Sequence, residues 1–179
     1  PSPSSYSMNS STGQDILVAK LDVNGNLLFA KQIGNNDAIY VSDLELNTAG
    51  DIVFCGGFRA VLDFDPNSTS FNVTASDAVD GFVCKWDNNG NFQWVKQWDN
   101  GNYANIIGDL AIDQNQHIVA TTMFGGTMDG DPNSGVVTIV NTDLDWTAMS
   151  FVVKLSNTGS TDWVITSPVY NPVLRIGSN

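Results

Sequence analysis

The sequence predicts an all-β protein, and three observations lead to this prediction. One stretch recurs three times, at residues 15–33, 80–98 and 149–166. Within each copy, apolar and polar residues alternate with a period of two, which is the pattern of a half-buried strand. Asp, Asn, Gly, Ser and Thr crowd the segments between the apolar runs, and nowhere do apolar residues recur at helical spacing over three turns.

Each copy of the repeated stretch is predicted to form a β-hairpin. The turn of the middle copy is Asn89-Gly90-Asn91, whose residues tolerate a positive φ angle. The first copy has Asn24-Gly25-Asn26 at this place, whereas the third has Thr158-Gly159-Ser160, so the geometry of the third turn is an open point. An aromatic residue then anchors each returning strand. The anchoring residues are Phe29, Trp94 and Trp163, and we expect the two tryptophans to lie in the core.

The alternation also predicts which side chains share a face of each hairpin. Because strand side chains point alternately to opposite faces, one face of all three hairpins is apolar and the other carries a lysine. The residues expected to be buried on the apolar face are Leu17, Leu21, Phe82, Cys84, Trp86, Phe151 and Leu155. The residues expected on the opposite face are Lys20, Lys85 and Lys154.

A second kind of strand pair is predicted between the hairpins. Residues 43–47 and 51–58 form the first such pair, and residues 109–113 and 117–124 repeat it in the next unit. After each pair comes an excursion that contains Asp-x-Asp-Pro-Asn-Ser and continues into a short β-prone run, which we interpret as an inserted hairpin. Each unit is therefore expected to contain four antiparallel strands plus that hairpin.

The repeat divides the chain into about two and a half units. Residues 1–34 are the second half of one unit, residues 35–99 and 100–168 are complete units, and residues 169–179 begin a fourth. Residues 1–14 look like a linker but align with residues 66–79. We therefore expect them to be the tail of the first unit and to be partly strand.

The composition argues against several classes of partner. The net charge is −12 with only seven Lys and Arg residues, whereas nucleic acids require a basic surface. The same charge disfavours an anionic membrane surface. There is no run of about 18 apolar residues, so insertion into a membrane is not expected either.

No catalytic motif stands out, and we expect the chain not to be an enzyme. His117 is the only histidine, and its position at the start of a strand predicts an exposed residue at a turn edge. A pair of Asp side chains for glycoside cleavage stays open, because Asp is abundant and such pairing is spatial. The two cysteines, Cys55 and Cys84, are either free buried thiols or one disulfide.

The excursions hold the best candidate for a metal site. Both place side-chain oxygens at alternate positions, as calcium-binding loops do at their start. The candidate Ca²⁺ ligands are Asp63, Asp65, Asn67, Asp129, Asp131 and Asn133. The alternative is that these side chains cap turns through their own backbone. No other cofactor is expected.

The repeat resembles a family of bacterial β-propeller repeats, similar in plan to NHL-type blades. The resemblance rests on Asp-x-Phe-Val-x-Lys-x-Asp, Asn-Gly-Asn and a following tryptophan, together with a strand pair, and it is carried by residues 15–33, 41–58, 80–98, 107–124 and 149–166. It covers most of the chain, although Met149 replaces the first Asp in the third copy. The excursions are most similar to versions from secreted proteins of the Bacteroidota. The resemblance implies four-stranded propeller blades in an extracellular or cell-surface protein, and no single activity.

The same resemblance gives expectations about the ends and the centre of the molecule. A propeller closes with roughly four to eight blades, so the chain is expected to be a fragment, to stack openly or to assemble with other copies. We expect residues 1–179 alone to aggregate, unfold or assemble. Asp43 and Asp109 open the first strand of their units and would line the central channel. They would hold a cation or polar ligand there, or accept backbone hydrogen bonds at the strand entry.

Three functions remain in competition at this point. The first is a non-catalytic, adhesion-type scaffold that binds protein or glycan on the excursions or at the propeller mouth. The second is a structural subunit of an extracellular filament or surface assembly. The third is a non-catalytic part of a secreted hydrolase. The expected partners are a protein or glycan ligand, and further blades of the same chain or other copies.

Overall fold

The computed structural model describes residues 8, 13–34, 37–76, 79–101, 104–141, 149–168 and 172–175. Within these ranges the chain forms β-strands and no helix, which confirms the all-β prediction. In chain order the strands are β1 (Asp15–Leu21), β2 (Leu27–Gly34), β3 (Ile39–Leu46), β4 (Ile52–Phe58), β5 (Val61–Asp63), β6 (Asn72–Thr74), β7 (Asp80–Trp86), β8 (Phe92–Trp98), β9 (Ile107–Ile112), β10 (Ile118–Met123), β11 (Thr127–Asp129), β12 (Thr138–Val140), β13 (Ser150–Leu155) and β14 (Thr161–Ser167). The described part of the chain has no helix long and apolar enough to span a bilayer.

The strands pair in antiparallel fashion, and among the described residues no sheet closes on itself. The middle sheet has the order β3-β4-β7-β8, and the last sheet has the equivalent order β9-β10-β13-β14. Strands β1 and β2 form a separate pair, called the first hairpin below. The excursions form the predicted hairpins β5–β6 and β11–β12, each inserted between the second and third strands of a four-stranded sheet. Of the expected partial strand at residues 1–14 and the expected fourth unit at residues 169–179, only residues 8, 13–14 and 172–175 are described, and these form no strand. The rest of both segments lies outside the described residues.

The middle sheet is covered on both faces. Every residue of its two central strands, β4 and β7, is buried. One face packs against the first hairpin through Phe54, Phe82 and Trp86. The other face packs against the last sheet through Val83 and Trp98. Since complete burial of such a side chain contributes about 1.5–3 kcal/mol, these two apolar clusters are the main source of stability.

The burial predicted from the alternation is correct in the two four-stranded sheets and wrong in the first hairpin. Phe82, Cys84, Trp86, Phe151 and Leu155 are all buried. By contrast, Leu17 and Leu21 are 60% and 57% exposed. The first hairpin meets the middle sheet with its alternate face, formed by Ile16, Val18 and Ile33. The physical reason is position, because no described residue covers the face that carries the two leucines.

Three further expectations are settled by burial. Trp94 is partly buried and packs against the last sheet. Trp163 is 41% exposed, so the expectation that it lies in the core is wrong. Cys55 and Cys84 are buried free thiols in different apolar clusters, and burial raises the pKa of both.

The third hairpin turn keeps the geometry of the other two. Gly25, Gly90 and Gly159 have φ angles of +82°, +78° and +83°. In the first two turns the carboxylate of Asp22 or Asp87 accepts two backbone N–H groups. In the third turn the Ser156 hydroxyl accepts the equivalent pair at 3.3 and 3.1 Å. A serine thus replaces the aspartate without changing the turn.

Candidate functional site

The two excursion loops begin with the same carboxylate contacts. One Oδ atom of Asp63 accepts the N–H groups of Asp65 at 3.0 Å and Phe71 at 2.7 Å. The equivalent oxygen of Asp129 accepts the N–H groups of Asp131 at 3.0 Å and Val137 at 2.8 Å. These bonds close each loop at its base. The first aspartate of each loop therefore caps its own turn, which is the alternative to a calcium ligand.

The second aspartate of each loop holds the asparagine that follows it. Asp65 Oδ1 accepts the backbone N–H of Asn67 at 3.0 Å, and Asp131 Oδ1 accepts that of Asn133 at 3.0 Å. A hydroxyl group completes each arrangement. Thr69 donates to the first carboxylate, and Thr161 of β14 donates to the second. The structure thus brings the three candidate ligands of each loop together.

Calcium binding at these loops stays a prediction. In the described residues, no group of three or more His, Cys, Asp or Glu side chains is arranged to hold a metal ion. Carboxylate oxygens of Asp63, Asp65, Asp129 and Asp131 already accept hydrogen bonds from their own loops. A cation would have to use the remaining lone pairs of these oxygens.

We expect a chelator to leave the thermal unfolding midpoint of the protein unchanged, because backbone donors already satisfy the loop carboxylates. Asp63→Ala and Asp129→Ala should each lower the midpoint, since two hydrogen bonds are lost and each contributes about 0.5–1.5 kcal/mol. Calorimetry with and without EDTA measures both effects. A midpoint that falls with EDTA in the unmodified protein, but not in the variants, would establish calcium binding instead.

A lysine of the preceding unit reaches each excursion loop. Lys31 of β2 donates to Asn67 Oδ1 at 2.5 Å, and Lys96 of β8 donates to Asn133 Oδ1 at 2.5 Å. Each contact joins the hairpin of one unit to the excursion of the next. The lysine and the asparagine are 36 residues apart in the first contact and 37 in the second. The sequence analysis missed these two lysines. Their recurrence at equivalent positions of the first two hairpins is the signal that would have identified them.

Asp43 and Asp109 also connect neighbouring units. Asp43 Oδ2 accepts the backbone N–H of Leu110 at 3.0 Å, which links β3 to β9. Asp109 Oδ2 accepts the N–H of Leu174 at 2.6 Å, which links β9 to the segment near the end of the chain. Asp43 additionally accepts the N–H of Leu44 at 2.8 Å. The carboxylates thus accept backbone hydrogen bonds, and a role in a central channel stays a prediction.

Two further lysines link the first and second hairpins to the turn of the hairpin that follows. Lys20 donates to the Asn88 carbonyl at 3.1 Å, and Lys85 donates to Asn157 Oδ1 at 2.5 Å. Lys85 is buried and forms an ion pair with Asp51 at 3.0 Å. Lys85 lies on the predicted face, opposite to that of Phe82 and Trp86. It is nevertheless buried, whereas a polar face would be expected to be exposed.

His117 is not simply an exposed residue at a turn edge. Its Nδ1 lies 3.2 Å from Asp113 Oδ2, and its Nε2 lies 3.6 Å from Asp162 Oδ2. Lys154 donates to the same Asp113 oxygen at 2.7 Å. Burial would raise the pKa of Asp113, but the hydrogen bonds from Lys154 and His117 outweigh it and hold that pKa well below its usual range. The imidazole of His117 therefore lies between the carboxylates of Asp113 and Asp162, and Lys154 shares the Asp113 carboxylate with it.

The carboxylates predict a loss of stability in acid. The pKa values of Asp51, Asp87, Asp113 and Asp131 lie below the reference value of 3.8, since hydrogen bonds outweigh burial. Their stabilising contribution is complete above pH 3.8 and is lost as the pH falls through the lower folded values. Asp80 acts in the opposite sense, because burial raises its pKa.

We therefore expect the unfolding midpoint to fall steeply below about pH 4, with the lowered carboxylates outweighing Asp80. Thermal melts from neutral pH into this range measure the effect. Asp113→Asn should weaken the acid dependence, because it removes the carboxyl with the largest resolved lowering. A midpoint that rises on acidification would mean that Asp80 dominates instead.

The polar contacts described above either hold a turn in place or connect one unit to the next. Loop asparagines accept from lysines, and buried Lys85 is paired with Asp51. Asp43 and Asp109 accept from backbone N–H groups, but they lie within β3 and β9, so the prediction that they open these strands is wrong. Comparison with models of known protein families and with curated proteins found no match to this chain.

Proposed function

We propose that the chain is a non-catalytic, extracellular or cell-surface scaffold of β-propeller type that binds a protein or glycan through its excursion hairpins. One observation carries this proposal. The two excursions have the same hydrogen-bonded base, anchored by Asp63 and Asp129, but different tips. A constant frame with variable tips is the design of many binding modules.

Exposed apolar side chains of the excursions support a binding role. The loop of the second excursion exposes Val136, with 77% of its surface in solvent, and Val61 and Val140 are exposed on β5 and β12 at the ends farthest from the loops. In the first excursion, the half-exposed Phe71 packs on Phe92 of β8, with ring centroids 4.6 Å apart. Each apolar group sits on a hairpin whose base is fixed by the loop hydrogen bonds. Apolar side chains held in solvent by a rigid frame are typical of interaction sites.

The β-propeller part of the proposal is supported by the way in which the units follow one another. The middle and last sheets have equivalent strand orders, and each packs on the sheet before it. First strands of consecutive units are joined through Asp43, and the same contact recurs from Asp109. Sequential sheets joined along their first strands are what blades around a common axis require.

The non-catalytic part is supported by the uses of the polar side chains described above. Asp43, Asp109 and the loop carboxylates accept backbone hydrogen bonds, and His117 contacts two carboxylates. These contacts are structural. The same contacts would be compatible with a non-catalytic part of a secreted hydrolase, but no other observation favours that alternative.

The test is binding of labelled protein to arrays of defined glycans and of purified extracellular matrix proteins. We expect saturable binding that Val136→Asp weakens at least tenfold, because a charge on the tip would have to be desolvated in the complex. Leu46→Asp, on the first strand of the middle sheet, is the matched control. It should leave binding unchanged if the excursions bind the ligand.

The alternatives give different results in the same experiment. If Leu46→Asp abolishes binding and Val136→Asp does not, the ligand contacts the first-strand side of the sheets instead of the excursions. If neither array retains the protein, the binding proposal is wrong.

A further inference from the structure

We propose that the chain cleaves its own backbone in mild acid at the Asp131–Pro132 peptide bond, faster than at the equivalent Asp65–Pro66 bond of the first excursion. The reaction needs only the aspartate side chain, a proton and water. The inference goes beyond the proposed binding function, because it concerns a covalent reaction of the loop and depends on no ligand.

Both residues of an Asp–Pro pair make the bond between them reactive. The aspartate carboxylate can attack its own main-chain carbonyl carbon, since a nucleophile held in the same residue reacts at a high effective concentration. The proline nitrogen belongs to a tertiary amide without an N–H group, and it leaves as a secondary amine once it has taken up a proton. The attack forms a C–O bond, breaks the C–N bond and produces a cyclic anhydride. Water then opens the anhydride, which leaves aspartate as the new C-terminus.

Both excursion loops hold the carboxylate beside the bond that would break. Asp131 Oδ1 accepts the N–H of Asn133 at 3.0 Å, and the Asp131–Pro132 bond lies between these two groups in the chain. The side chain therefore folds back over that bond. Asp65 is held in the same way by the N–H of Asn67 at 3.0 Å.

In the first loop both carboxylate oxygens are engaged. Asp65 Oδ1 accepts from the backbone and side-chain amides of Asn67, at 3.0 and 2.8 Å. Asp65 Oδ2 accepts from the hydroxyl of Thr69. An attack by either oxygen would break a hydrogen bond to a charged group, which raises the barrier.

In the second loop one oxygen is left to react. Asp131 Oδ1 accepts from Asn133 and, at 2.5 Å, from the hydroxyl of Thr161. No group in the described part of the chain donates to Asp131 Oδ2 within hydrogen-bonding distance. The contacts to Oδ1 thus fix the carboxylate in place, while Oδ2 keeps its lone pairs for the attack.

The neighbouring lysines do not distinguish the two loops. Lys31 donates to Asn67 and Lys96 donates to Asn133, each at 2.5 Å. The nearby positive charge is therefore equivalent at both bonds. The difference between the loops lies in the hydroxyl donors.

Cleavage would not separate the two pieces of the folded protein. Met128 of β11 and Ile139 of β12 lie on either side of the loop, pair with each other across the hairpin and are buried. Residues 1–131 and 132–179 should therefore stay associated until the protein is denatured. Scission is visible only by a method that unfolds the chain.

The experiment follows the intact chain by denaturing mass spectrometry during incubation at about pH 4.5, where a free aspartate side chain is mostly ionised. EDTA is present so that no cation occupies the carboxylates, and circular dichroism confirms that the protein stays folded. We expect fragments 1–131 and 132–179 to form about tenfold faster than 1–65 and 66–179, the effect on a rate of one hydrogen bond to a charged group. In guanidinium chloride the loop contacts are lost, so both bonds should break at similar rates.

Two variants test the stated cause. Thr69→Val removes the hydroxyl that donates to Asp65 Oδ2, and it should accelerate scission at Asp65–Pro66 to about the rate at Asp131–Pro132. Thr69 is exposed, so the variant should keep its fold. Pro132→Ala removes the tertiary amide and should stop scission after Asp131 while leaving scission after Asp65 unchanged.

Several outcomes would overturn the proposal. These are equal rates at the two bonds in the folded protein, faster scission after Asp65, and no scission after Asp131. A Thr69→Val protein that cleaves after Asp65 as slowly as the unmodified protein would overturn it as well, because the hydroxyl would then not control the rate.

Discussion

Trp98→Ala is expected to lower the free energy of unfolding by about 3–5 kcal/mol, the range for removing a buried aromatic side chain. Trp98 is fully enclosed at the end of β8 and belongs to the cluster between the middle and last sheets. Its indole N–H donates to the Gly130 carbonyl at 3.0 Å, and its ring lies 6.1 Å from that of Phe151. The variant loses packing between two units and leaves a carbonyl group without its donor.

The comparison variant is Trp163→Ala, which removes an exposed tryptophan of the last sheet. Because Trp163 is exposed, we expect its removal to change the unfolding free energy by less than about 1 kcal/mol. Urea unfolding followed by circular dichroism measures both variants. Equal losses for the two variants would mean that burial between the sheets does not determine how much a tryptophan contributes to stability.

The repeat was enough to predict the strands, because each copy encodes its own alternation and its own turn. Residues 80–98 form the predicted hairpin, and the register places Phe82 and Trp86 on one face as expected. Turn chemistry is equally local. Gly159 adopts the positive φ angle of its two equivalents even though its neighbours differ.

What the pattern could not predict is where a unit stands in the array. Leu17 has the same local sequence context as Phe82, yet one is exposed and the other buried. Burial depends on the neighbouring sheet, and the hairpin sequence carries no information about whether a neighbour is present. The same reasoning explains the misplaced Trp163.

The Asp-x-Asp-Pro-Asn pattern identified the residues of the two loops but not their contacts, and their role as calcium ligands stays a prediction. In both loops the carboxylates accept hydrogen bonds from the backbone of their own loop. The donors that reach the loop asparagines, Lys31 and Lys96, come from another unit. Such contacts between units appear in the sequence only when equivalent positions are compared across the repeats.

One such comparison concerns the acceptor of the hairpin lysine. In the middle sheet, Lys85 pairs with Asp51, and Asn47 donates to the same carboxylate at 2.9 Å. In the last sheet, the residue equivalent to Asp51 is His117, and the lysine pairs with Asp113, the equivalent of Asn47. The carboxylate that pairs with the lysine thus stands at position 51 in the middle sheet and at position 113, the equivalent of position 47, in the last sheet. In both sheets the lysine keeps one carboxylate partner.

Asp51→Asn is therefore expected to destabilise the protein by roughly 3 kcal/mol, the lower end of the range for removing one partner of a buried ion pair. The side chains of Lys85 and Asp51 are 6% and 19% exposed, so water can replace little of the lost carboxylate charge. The Oδ1 of an asparagine would keep the backbone hydrogen bond from Asn88, whereas its Nδ2 group could no longer accept from Asn47 or pair with Lys85. Thermal and urea unfolding measure the effect.

The last sheet suggests the compensating change. Adding Asn47→Asp to Asp51→Asn should recover at least half of the lost stability, because it places the carboxylate where Asp113 stands beside Lys154. Asn47→Asp alone should destabilise, since it sets a second negative charge beside Asp51 and removes the amide that donates to it. A double variant whose loss equals the sum of the two single losses would mean that Lys85 requires a carboxylate at position 51 itself. Recovery would mean that the lysine needs one negative charge at either place, which is what the two sheets display side by side.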